Sequence, residues 1–129
     1  MANAACFEDM RARTVPHLLA FAAEQHGSRR FLRESGSPDW LTFADAARHS
    51  HAAARGFARL GIKRGDYIPF MLPNCPEFVL AWFGANLRAA AYISVNTSLT
   101  ADLLAAQLAL APSSPSYARH GRDSLADVA

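Results

Sequence analysis

The residues of this sequence that could support chemistry are a few histidines, two cysteines and several glycine-containing segments. His49 and His51 lie two positions apart in a predicted helix, so they point to different faces, whereas a helical metal-binding pair prefers an i, i+4 spacing. Segment 61–65 does not follow the G-x-G-x-x-G pattern of a dinucleotide-binding loop, and no serine lies in a G-x-S-x-G nucleophile motif. We therefore interpret the histidines as solvated surface residues and the glycines as a helix stop followed by a turn.

Segment 35–38, with the sequence Ser-Gly-Ser-Pro, comes nearest to a phosphate-binding loop. A loop of that kind needs several glycines, so that its backbone can approach the phosphate, and a lysine that balances the phosphate charge. This segment has a single glycine, and no lysine follows it. Because glycine, serine and proline are common turn residues, we interpret the segment as the turn of a hairpin.

Composition narrows the class of protein without assigning an activity. The 129 residues carry a formal net charge of +2, and 51% of them are hydrophobic, which excludes a disordered chain and a polybasic nucleic-acid-binding arm. Cys6 and Cys75 form no C-x-x-C pair, so neither a disulfide framework nor a zinc ribbon is expected. With no long apolar run and no signal-peptide core, the sequence predicts a soluble cytoplasmic protein. These patterns assign no catalytic, cofactor-binding or metal-binding residue.

Two helices and a hairpin are predicted in the first half of the chain. Thr14 is expected to cap a helix that has Pro16 in its first turn. Apolar residues on either side of loop 34–39 predict a short β-hairpin. Thr42–Asp45 fits a capping box that opens a second helix, which Gly61 ends. One face of this helix is expected to carry Phe43, Ala47, Ser50, Ala54 and Phe57.

A strand–helix–strand unit is predicted over residues 67–95. Segment 67–72 is apolar on both faces, as in a buried parallel strand, although Pro69 argues against a central position in a sheet. A second strand is expected over 91–95, joined to the first by a right-handed crossover.

The helix between these strands is expected to run from Pro76 to Arg88 and to be buried, because apolar side chains surround it on most sides. Asn74 and Glu77 near its start are interpreted as capping residues. Two tryptophans are assigned to the core: Trp40 and Trp82.

The predicted fold class is α/β, with a partial doubly wound parallel sheet preceded by a helix and a β-hairpin. A last amphipathic helix, capped by Thr100, follows the second parallel strand. The chain divides into a loose leader at 1–13, a partial N-terminal domain at 14–111 and an irregular tail at 112–129, where prolines and serines interrupt any apolar period.

The order of several motifs resembles the N-terminal part of the adenylate-forming acyl-CoA synthetases, also called the AMP-dependent synthetase/ligase family. The similarity is strongest to fatty-acyl and crotonobetaine/carnitine-type CoA ligases and covers about residues 14–111. In this family an Ala-Gly-Ala sequence usually precedes the second strand, where the present chain has three alanines at 89–91. The motifs that carry the resemblance are Leu41–Asp45, Gly56–Asp66, Pro73–Phe78, Ala81–Gly84 and Asn96.

The resemblance implies ATP-dependent ligation of a carboxylic acid to coenzyme A. In this family the carboxylate attacks the α-phosphate of ATP, which gives an acyl-adenylate and pyrophosphate, and the CoA thiol then displaces AMP. The family's Ser/Thr/Gly-rich loop with its lysine, its Mg²⁺-associated glutamate, its ribose-binding aspartate and its C-terminal lysine all lie downstream and match no residue here. ATP, Mg²⁺ and CoA are therefore implied for the full-length family and none of them for this chain alone.

The predicted function is that of an acid–CoA ligase fragment, inactive on its own. The alternative is a non-catalytic interaction module, or a remnant that docks on a related ligase. Neither a nucleic-acid partner nor a membrane span is expected. Apolar strands with too few neighbouring elements favour self-association through exposed apolar surface.

Overall fold

A computed structural model of the protein describes residues 14–109. The predicted leader and irregular tail, together with Cys6, lie outside the described residues. The elements of the described part follow the α/β order expected from the sequence: α1 (Val15–His26), β1 (Arg30–Leu32), β2 (Leu41–Thr42), α2 (Phe43–Arg59), β3 (Tyr67–Phe70), α3 (Pro76–Leu87), β4 (Ala91–Ser94) and α4 (Ala101–Ala109).

Side-chain caps start the first two helices as predicted. The Thr14 hydroxyl accepts a hydrogen bond from the amide of His17 at 3.3 Å, which satisfies one of the free donors in the first turn of α1. At α2 the capping box is complete, because the Thr42 hydroxyl accepts from the Asp45 amide and the Asp45 carboxylate accepts from the Thr42 amide, both at 3.1 Å. The strands β1 and β2 form the predicted antiparallel hairpin, which leads directly into this cap.

The second half is the predicted strand–helix–strand unit. Strands β3 and β4 pair in parallel, with Tyr67 opposite Ala91 and Phe70 opposite Ser94. Helix α3 joins them, beginning at Pro76 as expected and ending at Leu87, with Arg88 as its C-cap.

The prediction that segment 67–72 is buried on both faces is wrong. The strand ends at Phe70, and its burial alternates, with Ile68 and Phe70 buried while Pro69 is exposed. Beyond the strand, Met71 is 46% exposed and Leu72 is 40% exposed. Ile68 and Phe70 belong to the core against which α3 packs, so this face of β3 is the one that is covered.

The core lies between the parallel sheet and helices α2 and α3. Half-buried Phe57, Phe78 and Trp82 pack against it, which confirms Trp82 as a core residue. Helix α3 crosses α2 at Gly84, where an added Cβ would lie 2.7 Å from the Cβ of Ala53. The cluster of buried residues consists of Ile62, Ile68, Phe70, Ala85 and Ala90.

Both α2 and α3 end in a residue with left-handed backbone. Gly61 has φ +82°, and the amides of residues 61 and 62 donate to carbonyls of the last turn of α2, each at 3.0 Å. Helix α3 ends in the same Schellman arrangement, with amides 89 and 90 donating at 2.9 and 3.0 Å, but Ala89 occupies the left-handed position with φ +52°. This alanine falls in the three-alanine segment that precedes the second strand.

Helix α4 buries none of its side chains, although its sequence predicts an amphipathic helix. Leu103 is 58% exposed, and one polar contact links the helix to the sheet, from the side-chain nitrogen of Gln107 to the carbonyl oxygen of Ser94 at 3.1 Å. Within residues 14–109, no helix combines the length and the apolar character needed to cross a membrane.

Candidate functional site

An open groove with a cavity volume of about 240 Å³ separates the hairpin loop from the start of α3. Its two walls come from segments 32–35 and 74–79, which are about forty positions apart in the chain. No sequence motif joins these segments, so sequence reasoning missed the groove. The lining residues are Leu32, Arg33, Glu34, Ser35, Asn74, Cys75, Pro76, Phe78 and Val79.

The hairpin loop in this groove is a turn, as predicted. The amide of Ser37 donates to the carbonyl of Glu34 at 3.1 Å, and Gly36 has φ +85°, a left-handed conformation that glycine adopts without strain. The Ser37 hydroxyl accepts from the amide of Asp39 at 3.1 Å. The groups of this loop are thus occupied in holding the turn itself.

Arg33 supplies positive charge beside the groove, but the hairpin already uses its guanidinium. One nitrogen donates to the carbonyl of Ser37 at 3.2 Å, and the guanidinium carbon lies 4.8 Å from the centre of the Trp40 ring. Arg30 also lies over this ring, at 5.8 Å. Trp40 was expected in the core and is instead 37% exposed at the surface, where these two arginine side chains lie over its ring.

The interpretation of Asn74 as a capping residue of α3 is wrong. The N-cap is Cys75, whose side chain makes no capping hydrogen bond, because Pro76 opens the helix and places Asn74 one residue too early. Glu77 lies in the first turn as expected, where a carboxylate interacts favourably with the helix dipole. Cys75 is a free, half-buried thiol.

The histidine pair does not form a site. His49 and His51 are both exposed on α2, which confirms them as surface residues. Within the described part of the chain, no group of three or more histidine, cysteine, aspartate or glutamate side chains could hold a metal ion.

The strongly perturbed carboxylate is structural. The pKa of Asp45 is lowered to about 2, first by the hydrogen bond from the Thr42 amide, then by Arg48 and the Thr42 hydroxyl. The Arg48 guanidinium lies 2.6 Å from the Asp45 carboxylate, one helical turn along α2. These partners all stabilise the ionised cap, so the shift reflects helix capping and not a general acid or base.

Comparison with known proteins identifies the family. The AMP-binding enzyme family matches residues 19–115. The 4-coumarate–CoA ligase of Vanilla planifolia is 42% identical over 59 residues, which cover 46% of this chain and 11% of that protein. The crotonobetaine/carnitine–CoA ligase of Salmonella arizonae is 34% identical over 65 residues, which cover 50% of this chain and 13% of that protein. The aligned part of this chain thus spans little more than a tenth of each of these relatives.

Solved structures agree on the fold. The N-terminal domain of FACL13 from Mycobacterium tuberculosis has a TM-score of 0.70 at 24% identity, covering 74% of this chain and 24% of that one. The NpsA-ThdA adenylation–PCP didomain from Klebsiella oxytoca has a TM-score of 0.71 at 17% identity, covering 76% and 18% of the two chains. The described residues therefore adopt the start of the N-terminal α/β domain of adenylate-forming enzymes, and the chain belongs to the AMP-binding enzyme family.

Proposed function

We propose that this chain forms the N-terminal segment of an ATP-dependent acid–CoA ligase and has no adenylating activity on its own. The observation that carries the proposal is the family match over residues 19–115, together with relatives that are named as CoA ligases. The substrate class is a carboxylic acid, with ATP, Mg²⁺ and CoA as the co-reactants of the complete ligase. Composition supports a cytoplasmic location as part of the same proposal.

The contribution of this segment to a ligase is structural. Its parallel strands, with α2 and α3 packed on one face, provide part of the framework on which phosphate chemistry would take place. Phosphoryl and adenylyl transfer depend on positioned charges that stabilise the transition state. In the groove, the charge of Arg33 is held against Trp40 and Ser37, and no metal-binding cluster lies within residues 14–109.

Carboxylate-dependent ATP–pyrophosphate exchange tests the absence of activity. The purified 129-residue chain is incubated with ATP, Mg²⁺, labelled pyrophosphate and a panel of carboxylic acids, with the Vanilla planifolia 4-coumarate–CoA ligase and 4-coumarate as the positive control. We expect no exchange above a heat-denatured sample. Exchange that is clear, depends on the acid and comes from the chain alone would overturn the proposal.

The downstream genomic DNA tests the ligase assignment itself. Read in all three forward frames, it should continue with a strand-like segment and then a Ser/Thr/Gly-rich loop that ends in Pro-Lys. The backbone amides and lysine of such a loop are what would bind the ATP phosphates. If unrelated sequence follows in every frame, the chain is better described as an interaction module, and the ligase assignment is withdrawn.

A further inference from the structure

The outward face of helix α2 carries a row of arginines. Arg48, Arg55 and Arg59 are all exposed, and helical geometry places them within about 40° of one another around the axis. Ser50 and Ala54, which are buried, lie on the opposite side of the same helix. The arginines therefore form a row about 17 Å long that faces away from the core.

Two more cations lie directly beyond the end of this row. Lys63 and Arg64 are exposed in the segment that leads from α2 to β3. No acidic residue occurs in the sequence between Asp45 and Asp66. We call the five cations of this region the basic surface; its members are Arg48, Arg55, Arg59, Lys63 and Arg64.

Contacts within the chain do not account for the basic surface. Arg48 is paired with Asp45 at 2.6 Å, but among the residues that the structure describes no hydrogen bond or ion pair engages the side chain of Arg55 or Arg59. These two arginines stand at i, i+4, where like charges destabilise a helix. The helix dipole favours a cation at Arg59 in the last turn, but its effect fades by Arg55. The row thus disfavours the isolated helix and suits an anionic partner.

We propose that the basic surface binds the anionic headgroups of a lipid bilayer as a peripheral contact. A single-stranded nucleic acid would need exposed aromatic rings on which its bases stack, and a protein partner would need a cluster of apolar or aromatic anchors. Between residues 43 and 66, all of which the structure describes, Leu60 is the only large apolar side chain that is exposed. A bilayer needs no such cluster, and one leucine beside cations suits the boundary between headgroups and acyl chains.

The strength of this contact follows from the number of cations. Each Lys or Arg near an anionic bilayer increases binding by about fivefold. The four cations other than the paired Arg48 would together increase it by about 500-fold, provided that they lie within a Debye length of the headgroups. Binding to lipid and activity as a ligase can fail separately, so the inference does not depend on the proposed function.

Vesicle flotation with the full 129-residue chain tests the proposal. The chain is mixed with vesicles of phosphatidylcholine containing about one-third phosphatidylserine, or with vesicles of phosphatidylcholine alone, and the fraction that floats is measured. We expect binding only to the vesicles that contain phosphatidylserine. Raising the NaCl concentration from about 50 to 500 mM should release the chain, because salt screens the attraction.

Variants separate the basic surface from the other cations of the chain. Arg55→Gln/Arg59→Gln should weaken binding about 25-fold, and Arg59→Gln alone about fivefold. Glutamine is as good a helix former as arginine, so circular dichroism should show an unchanged helix content. Arg55→Lys/Arg59→Lys keeps both charges and should bind like the wild type. The matched control is Arg30→Gln, which removes one charge from the hairpin, where Arg30 lies over the Trp40 ring at 5.8 Å, and should change binding less than about twofold.

Several outcomes would overturn the proposal. Equal binding to both kinds of vesicle would mean that apolar surface, and not charge, holds the chain. Full binding by Arg55→Gln/Arg59→Gln, or an equal loss in Arg30→Gln and Arg59→Gln, would place the contact elsewhere. Displacement by inorganic phosphate at constant ionic strength would mean that the surface takes single phosphate groups. Tighter binding to a single-stranded RNA oligonucleotide than to the vesicles would assign it to nucleic acid.

Discussion

Ala89 is the one non-glycine residue of the described chain with a positive φ, and replacing it with glycine should stabilise the protein. Its φ of +52° places it in the left-handed region, which costs an L-residue roughly 1–2 kcal/mol. The conformation is retained because it completes the end of α3 and because the carbonyl of Ala89 accepts the amide of Gly65 at 2.9 Å, at the entrance to β3.

The magnitude of the effect follows from two opposing terms. Glycine removes the left-handed penalty but gains conformational freedom in the unfolded chain, which offsets about 0.4–1 kcal/mol. Ala89 is exposed, so removal of its methyl group loses no buried surface. Ala89→Gly should therefore raise the free energy of unfolding by about 1 kcal/mol, or the melting temperature by about 4–8 °C for a domain of this size.

The end of α2 offers the reciprocal control. Gly61 occupies the same position in the same hydrogen-bonded arrangement, with φ +82°. Gly61→Ala should lower stability by about 1 kcal/mol, for the same reason with the opposite sign. Ala52→Gly, at an exposed position inside α2, should also lower stability by about 1 kcal/mol, because glycine is a poor helix former. Thermal and urea unfolding followed by circular dichroism measure all three, and a destabilised Ala89→Gly would refute the reasoning.

Three further predictions concern the helices. Gly84→Ala should destabilise the chain by roughly 1–2 kcal/mol, because its Cβ would lie 2.7 Å from that of Ala53. Gly56→Ala, with no atom within 4 Å of the new Cβ, should stabilise the chain by about 0.5–1 kcal/mol, and equal effects of the two variants in urea unfolding would contradict the close helix crossing. Because folding lowers the pKa of Asp45 from 3.8 to about 2, the contribution of its carboxylate to stability is complete above pH 4 and is lost as the pH falls towards 2. The difference in melting temperature between wild type and Asp45→Asn should therefore shrink across that interval, and a difference that stays constant from about pH 5 to 2 would count against the capping role. Cys75→Ser should add the missing N-cap bond of α3 and stabilise by about 0.5–1 kcal/mol, and Cys75→Ala, which offers no oxygen, should show no such gain in thermal unfolding.

Most elements of the fold could be predicted because local chemistry determines them. Thr14, the Thr42–Asp45 capping box and Pro76 each satisfy or remove free backbone donors at the start of a helix, and the structure places all three helix starts there. The parallel pairing over 67–95 follows from a short apolar strand, a helix and a second strand, an order that strongly favours a crossover connection.

Burial was harder to predict than element type. The apolar run at 67–72 and the leucines of α4 indicate surfaces that suit a neighbour, but a sequence pattern does not say whether that neighbour lies in the same chain. The assignment of Trp40 to the core was wrong for a different reason. Arginine side chains from β1 and the hairpin loop lie over its ring, and long amphipathic side chains of this kind can cover an aromatic ring at the surface. The groove depends on two distant segments, so only the tertiary structure could show it.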